Sequence, residues 1–348
     1  MAKAKKPTYE YSGTPYSLVT IKELLPLAKR LAKRLCDEVR VDPVLLEPIV
    51  FDQTFFADGE LMSRKPREAY LRDTRVIYLD CPRFPTISDG IMNTVLTLDA
   101  IAATGVRGIT HMLLYAPYAR QDKRKPGEPL SWKKVAEMFK HAAEPLDRLV
   151  AVELHTEQHE LALGGLKLDH VKGHKVFAEH FATSGTFLAE ECIVVSPDAT
   201  GAERAEKFQE KLFPNAVTSE AGYFRKRRPK DNHAETLSYT GPDPREKIVF
   251  IYDDMIDTGG TLCGAAKVLQ ERGAKEVIAV AMHALLNGNA VQKISAHGIK
   301  VVGSESIPRS DEWLEANKLW FTQVKLDEIL AKVILAQRAG DSVSSLLL

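Results

Sequence analysis

The sequence predicts an α/β protein of two domains, each with a mainly parallel sheet flanked by helices. Its 348 residues are long for one core and comfortable for two. Short, continuous apolar runs at 109–115, 149–154, 193–195 and 248–252 read as strands covered on both faces. Helical stripes alternate with these runs, which is the pattern of parallel sheets.

Taken in order, residues 1 to about 15 are expected to be a flexible basic tail. Leu24, Leu27, Ala28, Leu31 and Leu35 form the apolar stripe of a helix, with Pro26 near its start, where proline is tolerated. Ile91, Val95, Leu98 and Ala102 mark a second helix. Val135, Met138 and Phe139 mark a third, with Ser131 as its expected N-cap. The clearest unit is 247–282. A strand at 247–252 is expected to run into an acidic turn at 253–257, followed by Thr258-Gly259-Gly260-Thr261. Leu262, Ala266 and Leu269 then mark a helix, Gly273 stops it, and 277–281 makes the next strand. The loop of this βαβ unit lies at the carboxyl end of a strand, where open α/β sheets bind ligands. Residues 222–246, polar and basic with prolines, are expected to be an exposed loop and not a packed element.

Lys plus Arg equals Asp plus Glu at 47 each, so no global field points to nucleic acid or to an anionic membrane, and neither is expected as a partner. Anion recognition must be local. Cys36, Cys81, Cys192 and Cys263 form no CxxC pair, which suggests neither a zinc ribbon nor a disulfide framework and fits a reduced, cytoplasmic setting. The opening Met-Ala-Lys-Ala-Lys-Lys-Pro lacks an apolar run, so no secretory signal is expected, and no stretch approaches membrane-spanning length.

The strongest chemical signal is Asp253-Asp254-Met255-Ile256-Asp257-Thr258-Gly259-Gly260-Thr261. Small residues let backbone N–H groups approach phosphate oxygens, and the following helix adds its positive end. Thr258 and Thr261 can donate to the same phosphate. The paired acids would repel phosphate; they suit sugar hydroxyls or a hydrated Mg²⁺. Arg120 supplies a planar fork of donors for phosphate or for stacking on a base, and Gln121 is both donor and acceptor. Asp198 ends another strand, and the loop after it can present N–H groups and Arg204 to diphosphate oxygens. A lone histidine such as His155 is more often structural than a ligand. A basic cluster such as 225–228 is more often a solvated charge run.

The string at 253–261 resembles the phosphoribosyl-binding loop of the type I phosphoribosyltransferase fold. Further segments resemble, in the same order, the ribose-phosphate diphosphokinase family: Phe56-Ala57-Asp58-Gly59-Glu60, 117–124 with 127–131, Leu154-His155-Thr156-Glu157-Gln158, 194–198, Lys226-Arg227-Arg228-Pro229, His283, 288–290 and Ser342-Val343-Ser344. The likeness covers roughly residues 50–348.

This resemblance implies two similar phosphoribosyltransferase-like domains and the transfer of diphosphate from ATP to ribose 5-phosphate. It implies ATP binding by Phe56, Asp58, Gly59, Glu60, Arg120 and Gln121, and ribose 5-phosphate binding by Asp253, Asp254, Asp257, Thr258, Gly259, Gly260 and Thr261. His155 and Asp198 are implied as ligands of a Mg²⁺ cofactor, and Lys226 with Arg228 as the catalytic cations. It also implies a homo-oligomer, a hexamer or dimer. The expected domains are 1–172 and 173–338, with 339–348 returning to the first and the site between them. Glu153 stands where the family usually has Asp, and Thr200 where it usually has glycine; 1–50 and 82–93 match poorly. A nucleobase phosphoribosyltransferase, sharing only the sugar-phosphate loop, and a catalytically weak regulatory homologue are the rival readings.

Overall fold

The computed structural model describes residues 10–11, 14–39, 47–124, 126–144, 146–156, 159, 163–184, 187–216, 220–227 and 236–343. The chain forms two compact units, Met1–Val171 with Leu326–Leu348, and Lys172–Lys325. The second expected domain ended at 338; the second unit instead ends at Lys325.

In the first unit, β1 (Glu10–Tyr11) and β2 (Thr14–Thr20) precede α1 (Leu25–Val39) and β3 (Ile49–Val50). A hairpin of β4 (Asp52–Phe55) and β5 (Leu61–Arg64) follows, then β6 (Arg75–Asp80), α2 (Ile87–Ala102), β7 (Gly108–Leu113), α3 (Ser131–Ala142), β8 (Leu146–Val152) and β9 (Lys167–Val171). The main sheet runs β1-β2-β6-β7-β8-β9, with β3 also on β2 and every pair but β1–β2 parallel. Part of the expected basic tail is therefore strand: Leu18 and Val19 are buried, which roots β2 in the sheet. Residues 1–9 lie outside the described residues. The apolar runs on β6, β7 and β8 bury Tyr78, Ile109, Leu113, Leu149 and Ala151 against Leu98, Ile101, Val135 and Phe139 of the helices. Ser131 is the first residue of α3 and not its N-cap; Leu130 holds that position without a side-chain cap, and the Ser131 hydroxyl donates to Gln121 Oε1. Met138, expected on the apolar stripe, is exposed.

The second unit holds α4 (Gly173–Ser184), β10 (Cys192–Ser196), α5 (Ala202–Leu212), β11 (Gly222–Arg227), β12 (Thr236–Thr240), β13 (Ile248–Ile256) and α6 (Gly260–Glu271). It continues with β14 (Glu276–Ala284), α7 (Ala290–Ala296), β15 (Lys300–Ser304), α8 (Asp311–Asn317) and β16 (Phe321–Val324). The sheet order is β12-β11-β10-β13-β14-β15-β16, parallel except for β11–β12. The segment expected to be an exposed loop thus contributes an antiparallel pair, because Phe224 and Tyr239, opposite one another, are buried in the core. The acidic turn expected at 253–257 also begins later. β13 carries Asp253 and Asp254 within the sheet and ends only at Ile256.

The last helix, α9 (Asp327–Ala339), belongs to the first unit. Its Leu330 and Val333 are buried, and its first residue is clamped by α1: Arg30 Nε donates to Asp327 Oδ1 at 3.2 Å and Arg34 Nε to Oδ2. Burial pushes the Asp327 carboxyl up, but the Arg34 and Arg30 hydrogen bonds outweigh it and hold the pKa below the ordinary value. The clamp therefore contributes fully above the ordinary aspartate value of 3.8 and fades as pH falls below it. The arginines are partly exposed, which screens them, so Asp327→Asn should cost about 2 kcal/mol near neutral pH, read as a lower urea midpoint. An unchanged midpoint would remove the clamp from the stability of α1 and α9. Among the described residues no helix is long and apolar enough to cross a membrane.

Candidate active site

In the first unit the β4–β5 hairpin closes through Phe56 N–H to the Glu60 carbonyl at 2.9 Å and Gly59 N–H to the Phe56 carbonyl at 3.0 Å. Gly59 sits at φ 91°, a conformation open to glycine and strained for other residues. Asp58 Oδ1 accepts the Glu60 amide at 3.1 Å. The Phe56 side chain at this tip is 51% exposed. A cleft of about 790 Å³ lies beside the hairpin, lined by Lys22, Phe51, Phe55, Met62, Arg64 and Phe84 among others, and not by Phe56, Asp58 or Glu60.

Arg120 and Gln121 are exposed in the loop after β7, in a turn closed by Gln121 N–H to the Tyr118 carbonyl at 2.9 Å. Tyr118 lies at φ 61°, unusual for a residue with a side chain. His155 follows β8 and is half-buried; β7 and β8 pair in parallel, so both loops leave the same sheet edge. Glu153, two residues before it, is buried at φ 40°, with its amide on the Val171 carbonyl at 2.9 Å. Nearby His159 is buried, and that burial holds its pKa below the ordinary histidine value.

In the second unit the parallel pair β10 and β13 brings Asp198 and the 253–261 string to one sheet edge. Asp198 Oδ1 accepts three donors: the Thr200 amide at 2.9 Å, the Thr200 hydroxyl at 2.7 Å and the Gly201 amide at 2.9 Å. The threonine in place of the family's usual glycine thus adds a donor that fixes this carboxylate. All three bonds meet Oδ1, which leaves Oδ2 for another ligand.

Arg204, near the start of α5, donates to Asp254 Oδ1 at 2.9 Å and to Asp253 Oδ1 at 3.3 Å. The Asp254 amide donates to Asp253 Oδ1 at 2.9 Å. The Asp254 side chain is only 3% exposed and that of Asp253 27%. Burial raises the Asp253 pKa well above the ordinary value, the Asp254 charge adds to it, and Arg204 opposes both. The loop reading of Arg204, as a donor to diphosphate, missed this pairing, because partners so far apart in sequence leave no local pattern.

Past β13, Gly259 takes φ 72° at the N-cap of α6. Its carbonyl accepts the Cys263 amide at 2.8 Å, while Thr258, Gly260 and Thr261 are exposed. Their unshielded amides and hydroxyls at a helix start form a cradle for an anion. Asp257 is held by Asn287, whose Nδ2 donates to Oδ1 at 2.8 Å and whose amide donates to the Asp257 carbonyl at 3.0 Å. Asn287 was not singled out in the sequence, although it directly precedes the matching 288–290. His283 on β14 is buried and donates from Nδ1 to Ser306 Oγ at 2.9 Å, since that hydroxyl spends its own hydrogen on the Met282 carbonyl.

Lys226 lies on β11, paired with Leu237 of β12. Arg228, Pro229, Glu157, Gln158 and Ser344 lie outside the described residues. His155 and Asp198 belong to different units. Among the described residues no three His, Cys, Asp or Glu side chains converge as a metal site. Mg²⁺ prefers oxygen ligands and keeps several waters, and in the second unit the Oδ2 of Asp198 is an oxygen of that kind.

Comparison with known proteins agrees with this architecture. Residues 17–143 match the family model described as the N-terminal domain of ribose phosphate pyrophosphokinase, and residues 172–316 match the phosphoribosyl transferase domain. A ribose-phosphate pyrophosphokinase of Staphylococcus epidermidis is 30% identical over 339 residues, covering 97% of this chain and 98% of the relative. One from Vibrio vulnificus is 34% identical over 294 residues, covering 84% and 88%. The crystal structure of phosphoribosylpyrophosphate synthetase from Mycobacterium smegmatis superposes with a TM-score of 0.76 at 28% identity, covering 93% of this chain and 99% of that one. With one family domain in each compact unit and relatives aligned nearly end to end, the chain belongs to the ribose-phosphate pyrophosphokinase family.

Proposed function

We propose that this chain transfers the diphosphate of ATP to the anomeric hydroxyl of ribose 5-phosphate. The anomeric oxygen bonds to the β-phosphorus and its proton passes to solvent water. The bond from that phosphorus to the bridging oxygen of the α-phosphate breaks, and the oxygen leaves with AMP. The product is 5-phosphoribosyl 1-diphosphate, with no covalent enzyme intermediate. Such transfers are catalysed mainly by alignment and charge stabilisation.

The observation that carries the reading is the end of β13. Two carboxylates held by Arg204 stand directly before an exposed, glycine-softened helix start. Asp253 and Asp254 take ribose hydroxyls, and the turn Asp257–Thr258–Gly259–Gly260–Thr261 takes the 5-phosphate. Arg120 and Gln121, with Phe56, Asp58 and Glu60, take ATP. Lys226 and Arg228 supply cations to the charge developing on the transferred group. His155 and Asp198 are the residues that would hold Mg²⁺, whose charge offsets that of the phosphates when bound. The rival nucleobase transferase has no need of an ATP segment, and the family domain at 17–143 weighs against it. We further infer a cytoplasmic homo-oligomer.

The test is AMP formation by the purified chain from ATP and ribose 5-phosphate, with Mg²⁺ and with a chelator. AMP and 5-phosphoribosyl 1-diphosphate in equal amounts, lost on chelation, are expected. Diphosphate release that requires a nucleobase would replace the reading with the transferase. Activity only in the presence of a homologous subunit would replace it with the regulatory one.

A further inference from the structure

His159 touches the two loops to which ATP and metal roles fall in the proposed function, and it belongs to neither set of ligands. Its ring is 1% exposed. Nε2 lies 2.8 Å from the carbonyl oxygen of Ala119, which can only accept. Nδ1 lies 3.1 Å from the amide of Thr156 and 2.7 Å from its carbonyl. With the ring's hydrogen on Nε2, the Ala119 carbonyl accepts it and Nδ1 accepts the Thr156 amide hydrogen; with the hydrogen on Nδ1, the Thr156 carbonyl accepts it instead. Trp132 packs edge-on against the ring, with centroids 5.3 Å apart, and its Nε1 donates to the His159 carbonyl at 3.3 Å. With the hydrogen on Nε2 the imidazole is therefore fixed at both nitrogens and along one edge.

The contacts fall where they have most effect. Ala119 directly precedes Arg120 and Thr156 directly follows His155. The Ala119 turn includes Tyr118 at φ 61°, a conformation that persists only where neighbouring contacts over-determine it. The contact of Nε2 with the Ala119 carbonyl is one. A side chain that merely filled space would not need both ring nitrogens within hydrogen-bond distance of backbone atoms in two different loops.

We propose that His159 is a positioning residue for ATP: it bridges the loops after β7 and β8 and thereby fixes where Arg120 presents its guanidinium. This rests on the proposed role of Arg120 in nucleotide binding, but not on the transfer reaction itself.

Three substitutions separate bridging from bulk. Phenylalanine keeps the packing on Trp132 and loses both hydrogen bonds. Asparagine can meet Thr156 but is too short for the Ala119 carbonyl. Glutamine places an amide donor where Nε2 stands. The affinities of wild type and variants for ATP, and separately for ribose 5-phosphate, are titrated by calorimetry, with thermal melting alongside. His159→Phe and His159→Asn should weaken ATP binding about tenfold, the scale of one lost buried hydrogen bond, and leave ribose 5-phosphate within about twofold. His159→Gln should bind ATP within about threefold of wild type. ATP affinity unchanged in the Asn variant, equal weakening for both ligands, or no recovery in the Gln variant would each overturn the proposal. If the Phe variant does not fold, the Asn–Gln pair decides. Wild-type chain that binds ATP but forms no AMP would sink the transfer reading alone; wild-type chain that binds no ATP would overturn the bridge.

Discussion

Lys226→Ala is expected to lower turnover about a hundredfold while ATP binding is retained, since one cation meeting transition-state charge is worth about 3 kcal/mol. The strand that carries Lys226 is held by backbone pairing and by Phe224. β11 is held on one side by β10 and on the other by β12, and Phe224 buries its full side chain beneath it. The substitution therefore removes a charge and leaves its platform. Single-turnover AMP formation isolates the chemical step from product release, and ATP titration checks the ground state. Turnover like that of wild type would exclude Lys226 from the mechanism. Equal losses in ATP affinity and turnover would make it a binding residue only.

Replacing Arg204 should have an effect of similar size, by a different route. Asp253 and Asp254 lie side by side with little solvent, and Arg204 is the cation hydrogen-bonded to both. An Arg204→Leu variant leaves two carboxylates with that partner gone, a loss that costs about 3 kcal/mol for a pair this buried. The pH dependence identifies the cause. Asp253 holds its proton more tightly in the folded chain than in the unfolded one, so folding is favoured most below the ordinary value of 3.8 and loses ground as pH rises above it. Without Arg204, which opposes the rise, Asp253 holds its proton more tightly still, and the window extends upward. The stability gap between wild type and variant, measured by urea unfolding, should therefore widen from pH 5 to pH 8, and ribose 5-phosphate affinity should fall with it. A gap independent of pH would mean that the arginine acts by packing alone.

What was legible in the sequence and what was not differ in the range of the interactions involved. The strand-to-helix passage at 248–271 could be read because apolar run, small residues and helical stripe lie next to each other. Its one error, ending the strand at Tyr252, has a non-local cause: carboxylates are tolerated inside the sheet because an arginine from α5 meets them. The β11–β12 pair was hidden for the same reason. Its basic residues and nearby prolines resemble a loop, and only the pairing of Phe224 with Tyr239 makes it sheet. β2 was hidden because its first residues are polar and its apolar pair is short. His159 carried no signal, since a single histidine has no pattern and its partners are backbone atoms. The candidate residues for ATP and sugar phosphate, in contrast, were named from ordered motifs: those for sugar phosphate follow one another from the end of β13 into α6, while those for ATP lie on the β4–β5 hairpin and in the loop after β7.

The return of α9 to the first unit has a consequence for biogenesis. Residues 172–325 form one uninterrupted stretch, whereas the first unit draws on both ends of the polypeptide. Folding during translation ordinarily proceeds from the N-terminus. Here the ribosome delivers everything the second unit needs before it releases the helix whose Asp327 locks Arg30 and Arg34. The half that is synthesised first is the last to be completed, and until then Arg30 and Arg34 of α1 wait for their partner.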